Sequence, residues 1–148
     1  MADLISSSSF LSNGSEETLL YAKEFAKKLS RGSVICLTGD LGAGKTTFAK
    51  GFISELTELK ETMIQSPTFI YLNTYDTKNG TLCHFDVYRI PSPREFETMG
   101  FLDYFDGETV CLIEWGETIS TLLPPKTIYI NIKYVDIEKR LITIEQHL

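Results

Sequence analysis

The pattern of apolar and polar positions predicts strands that alternate with amphipathic helices. Two continuous apolar runs, residues 34–37 and 110–113, have the length and composition of strands buried on both faces. Apolar residues recur at helical spacing on either side of the first run, across residues 19–29 and residues 48–56. Buried strands separated by helices predict an α/β fold with a parallel sheet at its centre.

The ends of the first helix are predicted from its flanking residues. Ser15 is expected to be the N-cap, because two acidic residues follow it in the first turn, and Gly32 is expected to end the element. Before this helix, residues 1–12 contain a run of four serines and are predicted to form a loose lead-in.

Other segments predict antiparallel pairs at the margins of the sheet. Two strand-like segments between Phe69 and Tyr88 flank an Asn79–Gly80 turn signal, which indicates a hairpin. Near the end of the chain, residues 128–132 alternate and residues 141–144 can pair back on them. Between these hairpins, residues 94–105 are predicted to be helical. The expected sheet is therefore mixed, with a parallel centre and antiparallel margins.

The most informative segment, residues 39–46, reads Gly-Asp-Leu-Gly-Ala-Gly-Lys-Thr and matches the phosphate-loop pattern GxxxxGK(S/T). It lies between a buried-strand run and a helical pattern, so its backbone N–H groups and the helix N-terminus can surround phosphate oxygens. Lys45 can reach the β- and γ-phosphates, Thr46 can ligate Mg²⁺, and Thr47 can bond the α-phosphate. The predicted nucleotide-binding residues are Gly39, Leu41, Gly42, Ala43, Gly44, Lys45, Thr46 and Thr47. A three-layer sandwich of the P-loop NTPase type follows.

Three further residues are candidates for chemistry beside this loop. Glu114 directly follows the second apolar run, where phosphate-loop proteins place a carboxylate that holds Mg²⁺. It can touch the metal directly, reach it through water, or orient the attacking water. Asp86 ends a predicted strand and can complete the metal shell or polarise water. Thr68 follows a proline in a loop suited to sensing a γ-phosphate.

Other residues near these motifs have weaker signals. Trp115 is the only tryptophan and can cover a nucleotide, mark a docking surface or pack in the core. His84 is interpreted as a hydrogen-bonded strand residue rather than a base. Arg89 and Arg94 are most simply surface residues that form ion pairs, although either can stabilise transferred phosphate charge.

Composition limits the class of protein. With 148 residues the chain is expected to be one domain, and its formal net charge of −6 provides no long-range attraction for nucleic acid. The odd number and wide spacing of Cys36, Cys83 and Cys111 predict buried reduced thiols rather than disulfides or a zinc site. Neither a membrane span nor a signal peptide is recognisable, so a cytoplasmic location is expected.

Taken in order, several segments resemble the TsaE (also YjeE) family of bacterial ATPases. The similar segments are residues 39–48, Ser-Pro-Thr-Phe at 66–69, His-Phe-Asp-Val-Tyr-Arg at 84–89, Met-Gly-Phe-Leu-Asp-Tyr-Phe at 99–105 and Ile-Glu-Trp at 113–115. The resemblance covers residues 15–140. It implies an ATP- and Mg²⁺-dependent ATPase that supports threonylcarbamoyl modification of tRNA by acting on a complex of TsaD and TsaB, with tRNA contacted through that complex.

Roles for individual residues also follow from the resemblance. It implies that Lys45 and Thr46 bind phosphates and Mg²⁺, that Thr68 senses the γ-phosphate, and that Asp86 and Glu114 hold the metal and activate water. Ser15, Thr18 and Arg140 would lie near the nucleoside end. A slow rate in isolation that rises with the partner complex is expected.

Two other classes of protein remain open. A small-molecule kinase would share the phosphate loop, but no Arg-rich lid is recognisable in the sequence. A nucleotide-binding adaptor without catalysis would use Lys45 and Thr46 but not Asp86 and Glu114 for chemistry. A guanine-specific switch is disfavoured, because no Asn-Lys-x-Asp segment is present.

Overall fold

The computed structural model describes residues 5–40 and 42–147, and Leu41 lies outside the described residues. The helices are α1 (Ser15–Lys27), α2 (Lys45–Thr57) and α3 (Pro93–Thr98). The strands are β1 (Ile5–Ser12), β2 (Val34–Gly39), β3 (Leu72–Thr77), β4 (Gly80–Asp86), β5 (Val110–Glu114), β6 (Ile128–Tyr134) and β7 (Arg140–His147). Short 3₁₀ segments cover Glu61–Met63, Phe101–Tyr104 and Gly116–Leu122.

The strands form one seven-stranded sheet in the order β1-β7-β6-β2-β5-β4-β3. Strand β2 is parallel to both β5 and β6, and β4 is parallel to β5. The pairs β1–β7, β6–β7 and β3–β4 are antiparallel. The predicted mixed sheet, with a parallel centre and antiparallel margins, is confirmed.

Side chains of the central strands alternate between two apolar cores, one on each face of the sheet. Leu37, Leu82 and Leu112 pack with α1 and α2 in the first core. Phe85 and Ile113 belong to the second core, which is covered by α3 and the 3₁₀ segments Phe101–Tyr104 and Gly116–Leu122. Because a fully buried Leu, Ile or Phe side chain contributes roughly 1.5–3 kcal/mol, the two cores hold the strand ends in fixed relative positions.

The predicted loose lead-in is wrong for residues 5–12, which form the edge strand β1. Every residue from Ile5 to Ser12 is paired in register with a residue of β7. Phe10 also stacks on Tyr21 of α1, with ring centroids 4.3 Å apart. Pairing satisfies the backbone groups of β7, and the Phe10 ring buries apolar surface, so a serine-rich segment becomes part of the sheet.

The predicted helix ends also need correction. Gly14, not Ser15, is the N-cap of α1, and Ser15 is the first helical residue. The helix ends at Lys27, five residues before Gly32. Gly32 has a φ of +76°, and a Cβ there would lie 2.1 Å from the carbonyl oxygen of Gly107, so glycine is required by a close backbone approach rather than by a helix end.

The predicted helix over residues 94–105 is shorter than expected. Pro93 begins α3, and Ser92 caps it by accepting a hydrogen bond from the backbone of Glu95 at 3.4 Å. Gly100 has a φ of +80° and separates α3 from the following 3₁₀ segment. The left-handed backbone at this glycine interrupts the helical pattern that the side chains suggest.

The three cysteines have the predicted state, since Cys36, Cys83 and Cys111 are all buried free thiols. Across residues 5–40 and 42–147, no helix is long and apolar enough to cross a membrane.

Candidate functional site

Three parallel strands end at the same edge of the sheet and bring the candidate residues together. Strand β2 leads into the glycine-rich loop (residues 39–46), β4 ends at Asp86, and β5 ends at Glu114. Asp86 and Glu114 are register partners on neighbouring strands. Ligands of open α/β sheets bind outside the carboxyl ends of the strands, which is where these residues meet.

A cleft of about 410 Å³ opens at this edge. Its lining comes from the glycine-rich loop, the first turn of α2 and the ends of β4 and β5. The lining residues are Gly42, Gly44, Lys45, Thr46, Thr47, Ser66, Thr68, Asp86, Tyr88, Arg89, Glu114 and Trp115. The structure therefore brings together most of the residues predicted from sequence, while their individual roles stay predictions.

The glycine-rich loop presents an open helix N-terminus to the cleft. Gly42 and Gly44 have φ values of +79° and +106°, a conformation that only glycine adopts readily. Gly44 is the N-cap of α2, and within the described part of the chain no side chain caps this helix. The first backbone N–H groups of α2 are consequently available to an anion, and the helix dipole adds favourable charge.

Lys45 is buried at the base of the loop. Its ammonium group donates hydrogen bonds to the carbonyl oxygens of Gly39 and of Asp40, the latter at 3.0 Å. Nζ also lies 4.0 Å from the ring centroid of Trp115. Burial lowers the pKa of Lys45, and the nearby carboxylates of Glu114 and others partly oppose that shift. Lys45 is thus a cation held by two carbonyl groups at the cleft.

Asp86 organises the loop that contains Thr68. Its Oδ2 accepts hydrogen bonds from the hydroxyl groups of Ser66 at 3.2 Å and Thr68 at 3.1 Å, and its Oδ1 accepts the backbone N–H of Tyr88 at 3.0 Å. The structure thus places these two candidate residues in contact. In this arrangement the Thr68 hydroxyl is bonded to the carboxylate and would have to turn to reach a ligand in the cleft.

Glu114 is held by a residue of the neighbouring strand. Its Oε2 lies 2.7 Å from Nε2 of His84, and both side chains are buried. If Glu114 is ionised, its carboxylate can only accept hydrogen bonds, and Nε2 of His84 is then the donor. Nδ1 of His84 has no hydrogen-bond partner among the described residues. His84 is thus a hydrogen-bonded strand residue, as predicted, and its partner is the candidate catalytic carboxylate.

Aromatic side chains cover the cleft from one side. The half-buried Trp115 has a φ of +64°, and its ring centroid lies 4.8 Å from that of Tyr88. Arg89 lines the cleft, and its guanidinium lies 4.5 Å from the Phe69 ring, which is exposed. Arg94 belongs to α3 and is not among the lining residues that the structure describes.

The residues expected at the nucleoside end are not among the described residues that line the cleft. Thr18 is buried and shares a hydrogen bond with the hydroxyl of Ser12 at 2.7 Å. Arg140 donates from Nε to the carbonyl oxygen of Ala43 at 3.1 Å, and Ser15 is exposed at the start of α1. Tyr134, which sequence reasoning missed, donates its hydroxyl hydrogen to the carbonyl oxygen of Gly42. Its position at the end of a strand offers no local signal of that contact.

The donor set bears on the choice of metal. Thr46, Asp86 and Glu114 offer oxygen atoms at the cleft, and oxygen is the ligand that Mg²⁺ prefers. Within the described ranges, no three His, Cys, Asp or Glu side chains form a cluster that could hold a metal by themselves. The residues fit a Mg²⁺ ion that takes its other ligands from phosphates and water, because this ion is usually bound by one or two carboxylates plus substrate phosphates.

Two larger cavities, of about 880 and 910 Å³, lie at the opposite end of the parallel strands. Their walls include Gly32, Val34 and Ile128 in one case and Thr81 and Val110 in the other, all near the starts of strands. Neither cavity is lined by a residue of the glycine-rich loop or by Thr68, Asp86 or Glu114. The smaller cleft is the candidate site because Lys45, Asp86 and Glu114 all line it.

Comparisons with known proteins agree on one family. A family model described as "Threonylcarbamoyl adenosine biosynthesis protein TsaE" matches residues 12–142. A Rickettsia typhi protein named tRNA threonylcarbamoyladenosine biosynthesis protein TsaE is 43% identical over 134 residues, covering 90% of this chain and 92% of the relative. A Bacillus subtilis protein of the same name is 42% identical over 128 residues, covering 86% and 78%.

A solved structure supports the same relationship. The crystal structure of Bacillus subtilis YdiB matches with a TM-score of 0.79 and 34% sequence identity, and the match covers 99% of this chain and 90% of that one. The similarity therefore extends from the glycine-rich loop to both margins of the sheet. The chain belongs to the TsaE family of threonylcarbamoyl adenosine biosynthesis proteins.

Proposed function

We propose that this chain is a Mg²⁺-dependent ATPase that supports threonylcarbamoyl modification of tRNA by acting on a complex of TsaD and TsaB. The biosynthetic role is supported by the names of its relatives. The chemistry is supported by one observation: an uncapped helix N-terminus, a buried lysine and two strand-end carboxylates line a single cleft. That combination suits a triphosphate and its metal ion.

The glycine-rich loop and α2 provide the phosphate-binding half of the site. Gly44 and the next three residues offer backbone N–H groups, and Thr47 offers a hydroxyl group, within the cleft. Lys45 would exchange its hydrogen bonds to the Gly39 and Asp40 carbonyl groups for bonds to the β- and γ-phosphates.

Glu114 and Asp86 provide the reactive half of the site, together with the Thr46 hydroxyl. When bound, Mg²⁺ would offset charge on the β- and γ-phosphates, with Thr46 and Glu114 as its protein ligands. Hydrolysis joins a water oxygen to the γ-phosphorus and breaks the bond to the β,γ-bridging oxygen. Asp86 can orient that water and accept its proton, which is then passed to the released phosphate. If Glu114 instead reaches the ion through water, its Oε1 is free to take this role.

The contacts of Thr68 give a physical reason for slow hydrolysis in the isolated protein. Its hydroxyl is bonded to Oδ2 of Asp86, so the proposed γ-phosphate sensor and water-orienting carboxylate are engaged with each other. A partner that contacts the neighbouring exposed residues Phe69 and Ile70 can shift this loop and free both groups. We propose TsaD and TsaB as that partner and the cytoplasm as the location, with tRNA reached through the complex.

Matched substitutions test the catalytic proposal. We expect Glu114→Gln and Asp86→Asn each to lower phosphate release by roughly 100-fold or more, which is the scale of acid–base and electrostatic contributions. The controls are Glu97→Gln and Asp76→Asn, which change exposed residues away from the cleft. Mg²⁺ titrations of the residual activity separate an ion ligand from a water-orienting group.

The same measurements distinguish the alternative functions. Unchanged turnover in both cleft variants, with intact nucleotide binding, would favour a nucleotide-binding adaptor. Transfer of labelled γ-phosphate to a small acceptor rather than to water would indicate a kinase.

Addition of the TsaD–TsaB complex tests the partner proposal, with a higher rate of ATP hydrolysis expected on binding. Phe69→Ser should weaken that effect more than Leu20→Ser, a control at an exposed position of α1. An unchanged rate with a demonstrably bound complex would contradict the coupling.

A further inference from the structure

The β6–β7 hairpin contacts the glycine-rich loop through two side chains that are not among the described residues lining the cleft. Tyr134, the last residue of β6, is the register partner of Arg140, the first residue of β7. Their side chains therefore lie on the same face of the hairpin. The guanidinium carbon of Arg140 is 4.1 Å from the Tyr134 ring centroid, so the two side chains form a stacked pair.

This pair donates hydrogen bonds to two consecutive carbonyl groups of the loop. The Tyr134 hydroxyl donates to the carbonyl oxygen of Gly42, and Nε of Arg140 donates to that of Ala43 at 3.1 Å. A Cβ on Gly42 would lie only 2.9 Å from the Tyr134 hydroxyl oxygen. Glycine at this position thus permits both the positive φ and the close approach of the tyrosine.

The hairpin turn that carries the pair is itself well ordered by hydrogen bonds. Nη1 of Arg140 donates to three turn carbonyl groups, those of Asp136, Ile137 and Lys139, at 3.1 Å each. Oδ1 of Asp136 accepts the backbone N–H groups of Glu138 and Lys139, at 2.9 and 2.8 Å. Because Arg140 links this turn to the loop, the guanidinium joins two segments that are distant in sequence.

Peptide geometry converts these contacts into an orientation of the loop. In a trans peptide unit the C=O of one residue and the N–H of the next point in opposite directions. Arg140 holds the Ala43 carbonyl on the hairpin side, which directs the N–H of Gly44 toward the opposite side. Tyr134 likewise fixes the carbonyl of Gly42 and so orients the N–H of Ala43 in the same peptide unit. That N–H donates to the carbonyl oxygen of Asp40 at 3.0 Å.

We infer that Tyr134 and Arg140 are positioning residues that hold the glycine-rich loop in its anion-binding shape and so set nucleotide affinity without touching the nucleotide. The inference rests on the proposed nucleotide-binding function. Glycine residues in the loop allow many backbone conformations, and only a fraction of these direct N–H groups into the cleft. The hydrogen bonds from Tyr134 and Arg140 increase the fraction of loop conformations that direct N–H groups into the cleft. The apparent affinity for nucleotide rises in proportion to that fraction.

Hydrogen exchange of the nucleotide-free full chain tests the positioning directly. Tyr134→Phe removes the donor and keeps the ring, and the loss of a hydrogen bond of this kind corresponds to roughly five-fold faster exchange at the Ala43 amide, which donates to the carbonyl oxygen of Asp40 within the loop. Tyr129→Phe, on the same strand but away from the loop, should leave the exchange rate of that amide unchanged. Equal loop rates in Tyr134→Phe and wild type, or faster exchange spread over all of β6 and β7, would overturn the inference.

Nucleotide binding provides the second measurement. Calorimetry with Mg²⁺ and ATP should show roughly five-fold higher Kd for Tyr134→Phe and for Arg140→Lys, with kcat at saturation changed by less than about two-fold. The double variant should show less than the product of the two effects, because both residues act on one loop. A lower kcat at unchanged Kd would overturn the inference.

The two measurements separate the inference from the proposed function. If wild-type protein binds no nucleotide, the proposed function fails. The exchange rates then still support or overturn the positioning of the loop.

Discussion

Replacing His84 by leucine is expected to destabilise the protein through Glu114. The substitution removes the group that donates to Oε2 of Glu114 and keeps a side chain of similar size. The carboxylate would remain buried at the carboxyl end of β5 without its histidine partner. Because the Glu114 side chain is almost wholly buried, water replaces the lost donor poorly, and the folded state loses stability.

The expected loss of stability in His84→Leu follows from the burial of the two side chains and the length of their hydrogen bond. The side chains of His84 and Glu114 are only 2% and 4% exposed, and the hydrogen bond measures 2.7 Å. Hydrogen bonds to charged groups contribute about 1.5–3 kcal/mol, and breaking a buried pair from one side costs about 3–5 kcal/mol. We therefore expect His84→Leu to lower the free energy of unfolding by about 3 kcal/mol. In a chain of this length that corresponds to a decrease in Tm of roughly 6–12 °C.

Urea denaturation of a double-mutant cycle measures this effect. Glu114→Gln removes the charge, so the double variant with His84→Leu should recover about 2 kcal/mol relative to the sum of the single changes. His84→Gln retains an N–H donor of similar reach and serves as the conservative control. If the two losses simply add, or if His84→Leu costs less than about 1 kcal/mol, the histidine does not support the carboxylate as argued.

Three other predictions concern the scaffold around the site. Gly116→Ala places a Cβ 2.6 Å from Sγ of the buried Cys36, so urea denaturation should show a loss of about 1–3 kcal/mol, with part of it recovered in a Cys36→Ala background; full additivity would contradict the clash. Burial raises the pKa of Cys36 from 9.0 to about 12, so its contribution to stability is present below pH 9 and is lost between pH 9 and about 12, at up to about 1.4 kcal/mol per pH unit. Between pH 8 and 10.5 the free energy of unfolding should therefore fall less steeply with pH for Cys36→Ala than for the wild type. Equal slopes for the two proteins would argue against the raised pKa. Phe10→Ala removes the ring stacked on Tyr21 and should cost about 2 kcal/mol, whereas an unchanged midpoint would mean that β1 adds little.

Local patterns in the sequence were sufficient to predict the centre of the fold and the main candidate residues. The apolar runs at residues 34–37 and 110–113 became β2 and β5, because strands buried on both faces need continuous apolar side chains. The Asn79–Gly80 signal became the β3–β4 turn. Residues at the ends of parallel strands share one edge, so placing Asp86 and Glu114 at strand ends was enough to predict that they meet.

Contacts between residues distant in sequence were decided by the tertiary structure. The serine-rich segment became β1 because an edge of the sheet was available to pair with it, a condition that no local pattern records. Likewise, the donors that hold Glu114 and the glycine-rich loop, His84, Tyr134 and Arg140, are ordinary strand residues until folding brings their partners within hydrogen-bond distance. Periodicity reports which face of an element is buried, whereas a hydrogen bond between two elements depends on their register and packing, which exist only in the folded chain.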